Sequence, residues 1–216
     1  MSELDGHNAV GHPWQRTVPA SDLRASKHRL AAMVRALIAE TVLVDASRAR
    51  AEDLLAVQVA CEDLLRSVSA LPSLRSRGGH HAVAEDRPLI ERGPISGMSN
   101  PLAPPLVMSA VSGSSVVHAT AVFGTAYEGP PNMVHGGVLL CVLDEVLAFG
   151  QIPSGAIGMT GTVTVKLIRP VPIGVRVDFE AGTESVEERK TRVWARALVD
   201  GQTAAEATAV CIRPRR

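Results

Sequence analysis

YEGPPNMVHGGVLLCVLDEVLAFG, residues 127–150, opens as a turn and closes as a helix. Gly129, Pro130, Pro131 and Asn132 punctuate its start, and the residues from Val138 to Phe149 contain no helix breaker. The pattern predicts a helix beginning near His135 or Gly136. Val138, Leu139, Leu140, Cys141, Val142, Leu143, Val146 and Leu147 make it apolar on nearly every side, the mark of a buried helix. Asp144 and Glu145 interrupt the run. A carboxylate buried without partners costs on the order of several kcal/mol, so something must solvate or use at least one of them. Adjacent helical positions point about 100° apart, so the two carboxylates have different surroundings. One reading puts Glu145 on a solvated edge and Asp144 in a buried hydrogen bond. The other gives one of them chemistry.

Gly136 and Gly137 favour chemistry. At a helix N-terminus they leave N–H groups that no side chain screens, and the helix dipole there attracts a polarised oxygen. A carbonyl-polarising amide together with a carboxylate fits acyl transfer. Spacing constrains how they cooperate. Gly136 and Asp144 are eight residues apart, roughly 12 Å along a helix. Reacting atoms must approach to about 3–3.5 Å. Asp144 therefore does not readily serve a carbonyl held by Gly136 of its own helix. Two such helices facing each other in a dimer would bring the groups together.

With those residues in view, the run VHGGVLLCVLDE, with aspartate nine residues after histidine, resembles the PaaI/THEM4-like hotdog-fold acyl-CoA thioesterases. The upstream SGMSNPLAPPL, the run GMTGTVTVKLIRPVPIG, the Glu188-Arg189-Lys190-Thr191 turn and the final Ile212-Arg213-Pro214 are similar to that family too. The likeness spans residues 94–214 and implies an α+β hotdog fold, an antiparallel sheet wrapped around a central helix. It also implies an acyl-CoA substrate and a homodimer or dimer of dimers. By resemblance, Asp144 matches the catalytic carboxylate, as nucleophile or general base. Gly136 matches the amide that holds the thioester oxygen, and Thr160 a hydroxyl that helps place water. His135, Gly137, Asn132 and Glu145 fall among the substrate-binding positions. Some members carry asparagine six residues before the histidine; here that position is Gly129, and the nearest asparagine is Asn132. Two other readings share the fold: a non-catalytic acyl-CoA-binding or regulatory module, and a dehydratase, for which no suitable Asp–His pair is evident.

The chain has 216 residues, 46% apolar, with 22 basic and 22 acidic side chains. Zero net charge and 3% aromatics make no case for nucleic acid or an anionic membrane surface. No metal or cofactor is expected, because no CxxC or HExxH spacing occurs and His80-His81 have no companion ligands. Cys61, Cys141 and Cys211 sit in apolar patterns and are expected to be buried free thiols of a reducing compartment. No signal-peptide pattern or run of 18 apolar residues is seen, so the expected location is cytoplasmic. Neither a Walker A loop nor a Gly-x-Ser-x-Gly elbow is present.

Residues 1–93 read as an N-terminal helical extension and linker, and 94–216 as the hotdog domain. Ser21-Asp22 is expected to cap a helix reaching about Thr41, with Leu23, Leu30, Val34, Leu37 and Ile38 at helical spacing. A second helix is expected from about Arg48 to Ala70, completing a helical hairpin that covers a sheet edge or a dimer surface, lids the acyl group or binds a partner protein. A linker follows over 71–94. Strands are expected at Leu106–Val111, Val116–Phe123, Gly158–Ile168, Val175–Thr183, Arg192–Leu198 and Thr203–Ile212. Asp200-Gly201 marks a hairpin. Arg169, Arg189 and Lys190 are candidates for coenzyme A phosphates. His118, alone in its strand, reads as structural or exposed.

Overall fold

The computed structural model describes residues 22–73, 89–104, 106–110 and 113–214. Most of the expected linker, with His80 and His81, lies outside them. Two helices come first, α1 (Asp22–Val42) and α2 (Ala51–Ser69). Strands β1 (Val107–Ala110) and β2 (Val116–Val122) precede the central helix α3 (Gly136–Gly150). Strands β3 (Met159–Leu167), β4 (Arg176–Val186), β5 (Lys190–Val199) and β6 (Gln202–Ile212) follow. They form one six-stranded sheet in the order β1-β2-β4-β5-β6-β3, antiparallel at every pairing.

The sheet curls around α3 because its inner face is built from small residues. Ala119, Ala121, Ala181, Ala195, Ala197, Ala205, Ala207 and Ala209 are all buried there. Larger helix side chains (Leu139, Val142, Leu143, Val146 and Leu147) fill the space between, each almost fully buried. Large against small is what lets the layers interdigitate at native density. The approach is closest at the helix end, where a Cβ on Gly150 would lie 3.0 Å from the Ala181 Cβ. The α3 segment is apolar and long enough for a bilayer by composition, but its sheet-facing side is the core of this domain. An antiparallel sheet around one buried helix is the α+β hotdog architecture.

Three sequence expectations are corrected. First, α3 is not enclosed on every side. Leu140, Cys141 and Asp144 are exposed, because the sheet wraps only part of the helix circumference. Second, Cys211 is buried but Cys61 and Cys141 are exposed; an apolar neighbourhood in sequence does not determine which side of a helix a thiol occupies. Third, the helical hairpin is not closed. No residue of α2 is buried, and it does not pack along α1.

α1 docks instead through polar side chains. Arg35 donates to the carbonyls of Ala103 (2.7 Å) and Asn100 (3.0 Å). His28, Arg24 and Ser99 converge on the Glu91 carboxylate. Leu23, Met33 and Leu37 face solvent. The helix is therefore turned so that Arg24, His28, Ala31 and Arg35, rather than its leucines, meet the body of the protein.

Candidate active site

The loop before α3 is built to present the helix N-terminus. Glu128 bridges to Val134. Asn132 takes a left-handed backbone conformation (φ 62°), which asparagine tolerates better than most residues. Its side chain is exposed, and its N–H is held by the Glu128 carboxylate. Gly129 packs against His135: a Cβ there would lie 2.8 Å from the His135 Cα and 3.0 Å from its Cδ2.

His135 is the N-cap. Its Nδ1 accepts the Gly137 N–H at 3.0 Å, and its carbonyl accepts Val138 and Leu139. Of the first four helical amides, only the Gly136 N–H has no protein acceptor among the described residues. A free donor at a helix N-terminus, flanked by no side chain of its own, is a site for an oxyanion. Leu167, at the end of β3, borders it: a Cβ on Gly136 would meet the Leu167 Cδ1 at 3.1 Å.

Two turns further along the same helix lies Asp144, and here the first of the two sequence readings is reversed. Asp144 is exposed. Glu145 is the partly buried member, held by the hydroxyl of the buried Ser96. Asp144 is near enough to the buried Cys211 for its charge to act on that thiol. The thiol is pushed up by burial first and then by Asp144, while the Thr160 hydroxyl opposes. Thr160 and Cys211 are direct partners across β3 and β6, and Thr191 pairs with Cys211 on the other side. A row of Thr191, Cys211 and Thr160 thus runs under the Asp144 end of α3.

Thr160 owes its orientation to a β-bulge. The β3–β6 register shifts between Thr160 and Thr162, and Gly161 is the extra residue, tight against Ile212 and the Val210 carbonyl. Bulges commonly re-aim a side chain beside an active site. The segment leading into β3 is held by two polar groups that the sequence reading did not single out. Buried Gln151 accepts the Gly158 N–H at 2.8 Å, and buried Thr191 donates to the Ala156 carbonyl at 2.7 Å. Their signal in the sequence is weak, because a lone glutamine or threonine between apolar runs has no distinctive spacing. Ser96 was likewise visible only as part of SGMSNPLAPPL.

Asp144 lies at one end of the exposed α3 face, toward the Cys211 with which Thr160 pairs. Gly136, Gly137 and His135 lie at the other. Glu145 points to Ser96, and Asn132 serves the turn. The basic candidates are scattered. Arg169, paired with Gln202, lies beyond the Leu167 end of β3. Arg189, donating to the Arg213 carbonyl, and Lys190 lie at the Met159 end. His118 sits 3.9 Å from Glu180, away from the helix N-terminus.

No family model matches the sequence. Acyl-coenzyme A thioesterase THEM4 of Xenopus laevis is 33% identical over 92 residues, 42% of this chain and 41% of that protein. The chain thus spans less than half the length of that curated relative. A thioesterase superfamily protein of known crystal structure superposes with a TM-score of 0.70 at 26% identity, covering 86% of this chain and 90% of its own. That coverage is more than residues 94–216 alone supply, so the shared architecture extends into the N-terminal helices. A phenylacetic acid degradation-related protein from Ralstonia eutropha matches at 26% identity and a TM-score of 0.45, over 50% of this chain and 84% of its own. Taken with the sheet wrapped on α3 and the glycine-rich start of that helix, the likenesses to THEM4 and to the thioesterase superfamily protein support a PaaI/THEM4-like, hotdog-fold thioesterase family for this chain.

Proposed function

We propose that the protein hydrolyses acyl-CoA thioesters to the free acid and coenzyme A, at a site shared by two copies of the chain. The observation that carries this reading is the pairing of one unclaimed amide, the Gly136 N–H, with one unclaimed carboxylate, Asp144, on the same open face of α3. In the reaction, the Gly136 N–H of one subunit polarises the thioester carbonyl. Asp144 of the other takes a proton from water positioned with the Thr160 hydroxyl. The resulting hydroxide adds to the carbonyl carbon, and the oxyanion is held by Gly136. Collapse of the tetrahedral adduct breaks the C–S bond and expels the coenzyme A thiolate, which is then protonated. Attack by Asp144 itself, followed by hydrolysis of an anhydride, needs the same placement.

The sharing between subunits rests on two features. Gly136 and Asp144 of one helix are roughly 12 Å apart along the axis, too far for one carbonyl. And β3, at the edge of the sheet, is exposed along most of its length. Such a strand is ready to pair with another chain, and this one lies beside the open face of α3. The named activity of THEM4 agrees with this reading.

The test is free-thiol release from a panel of short, long and aromatic acyl-CoAs, comparing the unmodified protein with Asp144→Ala. Turnover that is lost in the variant supports hydrolysis. A melting-temperature shift with acyl-CoA and no thiol release would replace it with a binding module.

A further inference from the structure

We infer that Arg35 of α1 is a positioning residue for the Gly136 N–H: through Tyr127 it braces the loop that aims this donor, so the N-terminal helix serves the site. The inference rests on the role proposed above for Gly136.

The direction of the donor is held from two sides. The Gly136 N–H shares one peptide plane with the His135 carbonyl. On the helix side, the N–H groups of Val138 and Leu139 donate to that carbonyl at 2.9 and 3.3 Å. On the loop side, His135 is held through its own N–H, which donates to the Tyr127 carbonyl at 2.9 Å. Between these two residues the chain closes on itself. The Gly129 N–H donates to the Met133 carbonyl, and Glu128 bridges to Val134. Tyr127 and His135 are thus the two ends of one small hairpin, and a shift of one moves the other.

Tyr127 is itself fixed between the core and α1. It ends the single turn Thr125–Tyr127. Its ring meets the buried Phe123 edge-on, with centroids 6.0 Å apart. On the other side, α1 lies against the turn, and the Thr125 hydroxyl donates to the Ala39 carbonyl at 3.4 Å. One helical turn before Ala39, Arg35 donates to the Ala103 and Asn100 carbonyls. The Tyr127 hydroxyl is directed at the Leu102 carbonyl between them in the chain, at 3.5 Å. Burial pushes that hydroxyl up, and the Arg35 guanidinium beside it opposes the shift by its charge and by a hydrogen bond. One guanidinium therefore ties α1, the 100–103 segment and Tyr127 together. Its planar fork suits the task, because it offers several donors in fixed directions.

The kind of contact matters. Hydrophobic packing is non-directional, whereas hydrogen bonds define an angle. α1 leaves Leu23, Met33 and Leu37 outside and meets this region through directional bonds. An oxyanion donor works only within about 2.7–3.1 Å of the developing charge, and a misplacement of about 1 Å costs about 10²-fold.

The test combines kcat and KM for thioester turnover with amide hydrogen exchange followed by NMR, on the full chain. The variants are Arg35→Ala, Arg35→Lys and Tyr127→Phe. Arg29→Ala is the control, removing a positive charge from an exposed position of α1. Arg35→Ala should lower kcat about 10- to 100-fold with KM little changed, the mark of an interaction made in the transition state. Arg35→Lys should restore part of the loss, Tyr127→Phe should show a weaker form of it, and Arg29→Ala should show none. In the affected variants the His135 N–H should exchange faster while the amides of β5 keep their rates. Unchanged kcat and unchanged His135 exchange in Arg35→Ala and Tyr127→Phe would overturn the inference. So would equal acceleration at His135 and in β5, which marks a general loss of stability. If Arg35→Ala does not fold, Arg35→Lys and Tyr127→Phe decide by the same two readouts. If the unmodified protein releases no thiol from any thioester, the proposed reaction fails, and the exchange pattern alone decides whether Arg35 braces His135.

Discussion

The His135 imidazole accepts the Gly137 N–H at 3.0 Å, and among the described residues the neighbouring Gly136 N–H is the one donor of the first turn of α3 without a protein acceptor. The same chain segment supplies both the cap and the vacancy. A capping Ser or Asp would also hold the helix, but the imidazole adds a flat wall beside the donor, with Gly129 packed behind it.

Gly136→Pro should remove that donor, with a fold cost limited to a tight contact on the Leu167 Cδ1, a side-chain end that can give way. Gly136 is the first helical residue, where proline is well tolerated, and His135 already has the extended backbone (φ −61°, ψ 130°) that a following proline demands. If the amide stabilises an oxyanion, kcat should fall about 10²–10³-fold, with the melting temperature nearly unchanged. Thioester turnover and thermal melting, measured on the same preparation, check this. Undiminished turnover would remove Gly136 from the mechanism.

Asp144→Ala should abolish turnover while leaving stability within about 0.5 kcal/mol, as expected for an exposed position with no hydrogen-bond partner among the described residues. When Asp144→Ala and Gly136→Pro chains are co-expressed and heterodimers isolated, one of the two shared sites keeps both native groups. Partial activity should return. Verified heterodimers with no activity would argue against a site divided between subunits.

Gly129→Ala should act on the fold. The added Cβ would collide with the His135 backbone at 2.8 Å, and backbone cannot swing aside as a side-chain end can. Overpacking of this kind costs about 1–3 kcal/mol, which denaturant unfolding would read. Because the collision pushes on the cap, turnover should fall with stability, unlike the pattern for Gly136→Pro.

Glu91 should make the docking of α1 sensitive to acid. Burial pushes its carboxyl up, but the hydrogen bonds from Ser99 and His28 and the charges of His28 and Arg24 outweigh burial and hold it below its usual 4.5. A depressed carboxyl contributes stability that is present above 4.5 and is lost as the pH falls through the lowered folded value. Limited proteolysis within α1 should therefore accelerate under acid conditions below pH 4.5, and Glu91→Gln should show the faster rate already at neutral pH. Equal rates for the two proteins at pH 7 would show that Glu91 does not hold the helix.

The central helix could be read directly from sequence. A proline–glycine turn and an uninterrupted apolar run leave few alternatives, and the helix begins at Gly136. The six strands were also legible, β1 within the expected Leu106–Val111 and the later ones through β-branched residues and the Asp200-Gly201 hairpin. α1 and α2 formed close to their expected limits, since helical periodicity is a local property.

What remained hidden was which side of each helix meets the protein. Glu145 and Asp144 are adjacent, and one of the two sequence readings gave the buried hydrogen bond to Asp144, whereas Ser96 holds Glu145. The difference is a rotation of about 100°, settled by where Ser96 comes to rest. The leucines of α1 looked like its packing face, yet Arg24, His28 and Arg35 took that place because carbonyls and Glu91 were there to receive them.

Taken by itself, the sequence determined the kinds and order of the elements and the presence of a capped, glycine-rich helix start with a carboxylate two turns on. These follow from backbone preference and periodicity within a few neighbouring residues. Only the tertiary structure decided that Thr160 and Cys211 pair toward the Asp144 end and that α2 stands uncovered. Those outcomes depend on strand register, a bulge at Gly161 and a connector between α1 and α2 that hydrogen-bonds within itself, and register and bulge bring together residues far apart in the chain.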